Sequence, residues 1–229
     1  MSMLASKGAD LGERTLFLSG VTFLGGFLDA YTYITRGGVF ANNHTANMAK
    51  LGITLGNADW VGALNCAIPI AACVLGAALS EWLRCRRGED RDWRKAALLA
   101  ECCALMAVGF LPRSVPAWIV NTALSGITGF QLCLFRKSKW GAHNTTICTG
   151  NLRTLGQFAF SAVHERSPDA RTRFIQYGLL VFSFVLGSAA GVPVCGWIGP
   201  AAAFFGGLSA AGLLFWMDRA EKKAIKMRG

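Results

Sequence analysis

"ANNHTANMAKLG" (residues 41–52) sets three Asn, a His, a Thr and a Lys between two of the most apolar stretches of a 229-residue chain. A polar segment so placed is either a surface loop or part of an interior that must be wet or fully hydrogen-bonded, and its surroundings decide which. No Asp, Glu, Lys or Arg occurs from Trp60 to Ser80, from Ser114 to Phe135 or from Phe174 to Met217. A membrane-crossing helix needs about 20 apolar residues. The first two runs therefore supply one span each and the third supplies two.

Two further apolar segments carry one acid apiece: residues 15–35 contain Asp29 and residues 96–111 contain Glu101. The pattern predicts an all-α integral membrane protein with six spans at 15–35, 60–82, 96–111, 115–135, 174–191 and 196–217. The charge-free run 174–217 is expected to break at "GVPVCG" (191–196), where two glycines and a proline interrupt a helix. A charged content of 16% with a mean hydropathy of +0.39 fits that class. The whole chain is expected to form one membrane domain.

Lys and Arg fix the expected orientation. With the N-terminus inside, all basic residues except Arg36, Lys50 and Arg113 fall in inner loops and termini. The positive-inside rule then places both termini in the cytoplasm. The net charge of +10 is accounted for by anionic lipid headgroups, so the expected partner is the bilayer and not nucleic acid. The eight cysteines have no metal-ligand spacing, and no nucleophile motif is present. Neither cofactor, metal nor enzymatic activity is expected.

The opening segment has a second copy, "HNTTICTGNLRTLG" (143–156). Thr45, Asn47, Leu51 and Gly52 coincide with Thr149, Asn151, Leu155 and Gly156. Gly26-Phe27 answers Gly129-Phe130, and "VLGAAL" (74–79) answers "VLGSAA" (185–190). Preserved order along the chain points to an internal duplication, with repeat one at about 15–111 and repeat two at about 115–217. Three spans per repeat is an odd number, which forces inverted orientations, as in many transporters.

Each polar segment follows the first span of its repeat. Asn, His and Lys are costly in hydrocarbon unless partnered, and irregular backbone at membrane depth requires protein or a wet cavity around it. The segments are therefore expected to be short or broken helices entering from opposite faces and meeting near the midplane, with Gly37, Gly38 and Gly141 as break points.

"GGFLDAYTYITRGGVFANNHTANMAKLG" (25–52) resembles the leading signature of the YoaK-like family of small bacterial inner-membrane proteins, a domain of unknown function. The matching elements are Gly26 to Ala30, Gly38 to Phe40 and Thr45-Ala46-Asn47, with Ala46 where glycine is usual. The second copy, Thr149-Gly150-Asn151, matches without that change. The chain departs from the family again at Gln131-Leu132, where Gln-Asn is common. The resemblance extends from the first span to the last and implies an inner-membrane location.

The expected pathway residues are Asp29, His44, Thr45, Asn47, His143, Thr149 and Asn151. An intramembrane carboxylate is a functional-site hypothesis by default; the alternative is a buried acid held by Arg36, Lys50 or the Asn cluster. Thr and Asn at half-helix ends can cap free N–H groups and aim helix dipoles at the centre. Glu101, about two turns from Arg94 and Lys95, reads equally as surface-directed. The expected function is a transporter or channel for a small polar or anionic solute, or for a proton. The alternative is a non-transporting scaffold whose polar motifs are structural. A homodimer is a possible assembly, since "GSAAG" (187–191) permits close helix approach within or between chains.

Overall fold

The computed structural model describes residues 2–87, 93–135, 137–138, 141–142 and 148–226. These form α1 (Ser2–Thr35), α2 (His44–Gly56), α3 (Trp60–Arg87), α4 (Trp93–Gly109), α5 (Ala117–Phe135), α6 (Cys148–His164), α7 (Pro168–Ile198) and α8 (Ala203–Lys226). A 3-10 turn at Gly199–Ala202 joins α7 to α8, and Lys137–Ser138 pairs with Gly141–Ala142 in a short antiparallel ladder.

Among the described residues, three stretches are long and apolar enough to cross a membrane: Trp60–Arg86, Ala117–Phe135 and Pro168–Ala220. The last holds two helices, but the break is not at 191–196. Helix α7 runs through Pro193 to Ile198, and the chain turns at Gly199, whose φ of +58° suits glycine. The residue before a proline is disfavoured in helical geometry, so Gly199-Pro200 stops the helix. Pro193 removes one backbone bond, a loss that neighbouring helices make tolerable in a membrane bundle.

The first polar segment breaks the chain where glycine allows it. Gly37 and Gly38 follow α1 with φ of +83° and +70°. Helix α2 then starts at His44, capped by the Asn43 side chain, which accepts from Ala46 N at 3.3 Å. Helix α7 starts on Ser167, Pro168 and Asp169, a cap, a preset φ and an acid in the first turn.

Helix packing follows a reciprocal plan. The pairs are α1 with α7 and α8, α5 with α3 and α4, α2 with α3, α6 with α7, and α4 with α8. Exchanging α1 with α5, α2 with α6, α3 with α7 and α4 with α8 returns the same pairs. The two closest crossings are also reciprocal. A Cβ on Gly26 would stand 2.1 Å from Phe184 O, and one on Gly187 would stand 2.0 Å from Phe23 O. A Cβ on Gly129 would stand 2.2 Å from Cys73 O, and one on Gly76 would stand 2.0 Å from Gly126 O. Small residues let the backbones approach this closely. The small face of "GSAAG" is used within the chain: Gly187 and Gly191 lie against α1, and Ser188 Oγ donates to Gly26 O at 3.0 Å.

Leu24, Phe27, Leu28 and Tyr31 of α1 form the core with Leu98 and Leu105 of α4, Leu124 of α5 and Ala210 of α8. Val74, Leu75 and Leu79 on α3, and Phe182, Val185 and Leu186 on α7, are exposed. Exposed apolar flanks of this kind on helices of spanning length are lipid-facing surface. The protein is an integral membrane protein.

Candidate functional site

The site is built on the break after α1. Asp29 is 3% exposed, and its Oδ1 accepts from Asn42 N at 2.7 Å. Asn42 Nδ2 donates to Gly25 O at 3.0 Å, and Ala41 N donates to Thr32 Oγ1 at 3.1 Å. The acid is thus held by the Asn segment and not by Arg36 or Lys50. Lys50 Nζ donates instead to Gly38 O at 2.7 Å.

Arg36 lies in the outer group of basic residues by sequence, yet it is 1% exposed. Its guanidinium donates to Tyr31 Oη, Pro112 O and Leu111 O at 3.2–3.4 Å, and Tyr31 Oη donates to Pro200 O at 3.1 Å. One buried cation therefore ties the end of α1 to the α4–α5 connection and, through Tyr31, to the turn between α7 and α8. Its partners among the described residues are neutral oxygens, charge-assisted bonds of the stronger sort.

Asn47 is fully buried and locks the loop: its Oδ1 accepts from Phe40 N at 3.0 Å while its Nδ2 donates to Phe40 O at 2.7 Å. His44 lies beside it, Nδ1 at 3.5 Å from Asn47 Nδ2. Thr45 is exposed on α2.

In the second motif, Asn151 is buried and Thr149 lies in α6, while His143 lies outside the described residues, as does the Thr149 side chain. Residues 143–147 of the second motif lie outside the described residues. Helix α2 is seated on α3 and α6 on α7.

The partner of the Asp29 segment is α5. Asn121, Ser125, Thr128 and Gln131 are each at most 1% exposed and, at spacings of four, three and three, share one helix face. Asn121 Nδ2 donates to Arg36 O at 2.8 Å. Ser125 Oγ and Thr128 Oγ1 both donate to Ala41 O, at 3.2 and 3.0 Å. One peptide unit, Ala41–Asn42, therefore joins the Asp29 carboxylate on its N–H side to two α5 hydroxyls on its carbonyl side. At the C-terminal end of the stripe, Gln131 Nε2 donates to Glu101 Oε2 at 3.1 Å. Glu101 is 2% exposed; it faces α5 and not the surface.

Charge counting missed this stripe because Asn, Ser, Thr and Gln carry no charge and α5 reads as an uninterrupted apolar run. The signal was their helical spacing. From Asn121 to Gln131 the stripe extends about 15 Å at the α-helical rise of about 1.5 Å per residue. Among the described residues, Asp29 Oδ2, Asn42 Oδ1, Asn121 Oδ1 and Gln131 Oε1 are buried without a hydrogen-bond partner. All four are oxygens that lack a donor.

Comparison with known proteins places this architecture in a family. The pattern described as "Protein of unknown function (DUF1275)" matches residues 17–217, essentially all six apolar segments. The chain is similar to the UPF0700 transmembrane protein YoaK of Bacillus subtilis (strain 168), 26% identical over 148 residues. That alignment covers 62% of this chain and 65% of YoaK, just under two thirds of the relative's length. No solved structure matches the chain.

Proposed function

The chain belongs to the YoaK-like DUF1275 family of membrane proteins, and we propose that it is a small transporter or channel for a polar solute, built from two inverted three-helix repeats in the inner membrane with both termini cytoplasmic. The observation that carries the reading is the buried polar stripe of α5, continuous through the Ala41–Asn42 peptide with the broken segment after α1. Polar groups at membrane depth face the bundle interior and mark solute pathways. Broken helices whose freed backbone groups line the centre are the recurrent way to build one.

The reciprocal packing supports the inverted arrangement. The glycines paired by sequence, Gly26 with Gly129 and Gly76 with Gly187, make the two tightest crossings. The bias of Lys and Arg supports the orientation. In this proposal the protein moves its solute without transforming it.

Single cysteines at positions 47, 125, 128 and 151, in a background lacking the native eight, provide the test. Membrane-impermeant thiol reagents are added from each side of sealed vesicles. Labelling of 47, 125 and 128, diminished by a small polar solute, supports a pathway. Protection of every position from both sides overturns it and leaves the polar motifs as structural locks, the scaffold alternative.

A further inference from the structure

We infer that Asp29 and Glu101 are two proton-binding sites at the ends of a proton path along α5, and that the proton is the ion this protein moves. The inference deepens the transport reading above and rests on it.

Both buried carboxyls have the same kind of neighbour, a carboxamide whose oxygen lacks a donor. Asp29 accepts from the backbone of Asn42, while Asn42 Oδ1 and Asp29 Oδ2 are both without a partner. Glu101 accepts from Gln131 Nε2, while Gln131 Oε1 is without one. A buried acceptor left unsatisfied is destabilising. A carboxylic acid is a donor as well as an acceptor, so one proton per carboxyl supplies the missing hydrogen to each acid–amide pair.

An anion is a poor match for either acid–amide pair, because the unsatisfied atoms of both pairs are oxygens; the unsatisfied His44 Nε2 belongs to neither pair. A metal cation is a poor match for another reason: the Asp29 pair offers two unsatisfied oxygens and the Glu101 pair one, whereas a cation needs several oxygens converging at about 2–3 Å. A proton needs one acceptor at a time. Thr32, Ser125 and Thr128 all bond to the backbone of Ala41, whose peptide unit joins Asp29 to α5, and their hydroxyls can donate and accept in turn.

The charged and titratable groups on the elements packed around the two sites are few. For Asp29 they are Arg36, His44 and Lys50; for Glu101 they are Lys95, Cys102 and Asp218. Helix α5 adds only Cys133, and the chain from Phe174 to Met217 only Tyr177 and Cys195; neither stretch holds an Asp, Glu, Lys, Arg or His. Among the described residues Arg36 is bound to neutral oxygens and Lys50 to Gly38 O, so neither neutralises Asp29 by direct pairing. The step is a simple uptake: a carboxylate oxygen gains a proton on one side of the membrane, the site becomes neutral, and the same proton is lost toward the other side down its gradient.

Infrared spectroscopy on the full chain in lipid tests the sites without any substitution. At neutral pH the wild type should show carbonyl bands of two protonated carboxylic acids, one shifted by labelling aspartate with carbon-13 and one by labelling glutamate. Asp29→Asn should remove the first and Glu101→Gln the second. Liposomes holding the protein and an internal pH dye should acidify under an imposed potential, and either substitution should return the rate to that of protein-free vesicles. Lack of both acid bands in the wild type overturns the inference whatever the flux. Acid bands without proton influx overturn the path. Thiol labelling of the pathway together with no proton influx leaves transport standing and removes the proton as its ion.

Discussion

Helices α1 and α5 begin the two halves and make the same crossing, yet they carry different chemistry. Gly26 of α1 lies under Phe184 and Gly129 of α5 under Cys73, at nearly equal approach. Three residues on from each glycine the likeness ends: Asp29 stands in α1 and Leu132 in α5. The polar positions of α5, Asn121, Ser125, Thr128 and Gln131, answer Leu18, Thr22, Gly25 and Leu28 of α1. The two helices share the backbone crossing and divide the polar groups, so that α1 provides the carboxylate at the break and α5 the stripe that it meets. Scaffold and chemistry can therefore be broken separately.

The largest effect is expected from the shared part. Alanine at Gly26, Gly76, Gly129 or Gly187 would force a Cβ to within 2.2 Å of a carbonyl oxygen on the facing helix. Backbone cannot yield as a side chain can, so each substitution should cost about 3 kcal/mol, the upper part of the overpacking range. Gly52 and Gly156 are also matched by the repeat, but among the described residues nothing lies within 4 Å of a Cβ on either. Alanine there should stabilise by about 0.5–1 kcal/mol through helix propensity. Unfolding midpoints in a mild detergent would show both signs. Sensitivity in one crossing and not the other would break the equivalence of the halves.

Arg36 should come next. Arg36→Met removes the donor shared by Tyr31 Oη, Leu111 O and Pro112 O, and hydrogen bonds to a charged group are each worth about 1.5–3 kcal/mol. A net loss of about 2 kcal/mol is expected in the same assay, with some of the gross loss offset because the guanidinium is no longer buried. Arg153, exposed on α6, is the control: Arg153→Met should stay within about 0.5 kcal/mol.

The scaffold was legible in the sequence because it is written in glycines and in the absence of charge, both of which can be read position by position. The repeat signatures at 26, 76, 129 and 187 are the crossings themselves. Gly37 and Gly38 turn the chain where a broken helix needed them. The site was less legible, for three physical reasons. Arg36 reads as an outer loop base, because burial of a cation by backbone carbonyls leaves no trace in composition. Glu101 reads equally as surface-directed or functional, because its partner Gln131 is 30 residues away and uncharged. The end of α7 was misplaced because a proline inside a membrane helix is tolerated more readily than one preceded by a glycine at positive φ, as at Gly199-Pro200.

Ser125 and its counterpart Thr22 separate a hydroxyl that joins elements from one that does not. Ser125 Oγ donates to Ala41 O, 84 residues away, whereas Thr22 Oγ1 returns to Leu18 O one turn back in its own helix. Ser125→Ala should cost about 1 kcal/mol, the net worth of an ordinary hydrogen bond. Thr22→Val should be close to neutral, since Leu18 O still accepts its helical N–H and the bond back to the helix adds little. Equal costs would mean that the stripe is no more than local helix chemistry.

The smallest effect is expected where the third helices of the halves meet, and its pH dependence has a definite sign. Lys95 Nζ on α4 donates to Asp218 Oδ1 on α8 at 2.5 Å. That hydrogen bond, and then the ammonium charge, hold the Asp218 carboxyl below its ordinary 3.8. A carboxylate depressed in the folded state stabilises it above the unfolded pKa, and the contribution fades as pH falls through the folded value. Asp218→Asn should therefore melt slightly below the wild type at neutral pH and coincide with it once both are well under the carboxylate range. Lys95 sits in the first turn of α4 and Asp218 is largely exposed, so molar salt should also erase the difference at neutral pH. A difference that survives salt would mean that the α4–α8 contact depends on this pair, and that the third helices, like the first, have divided their chemistry unequally between the halves.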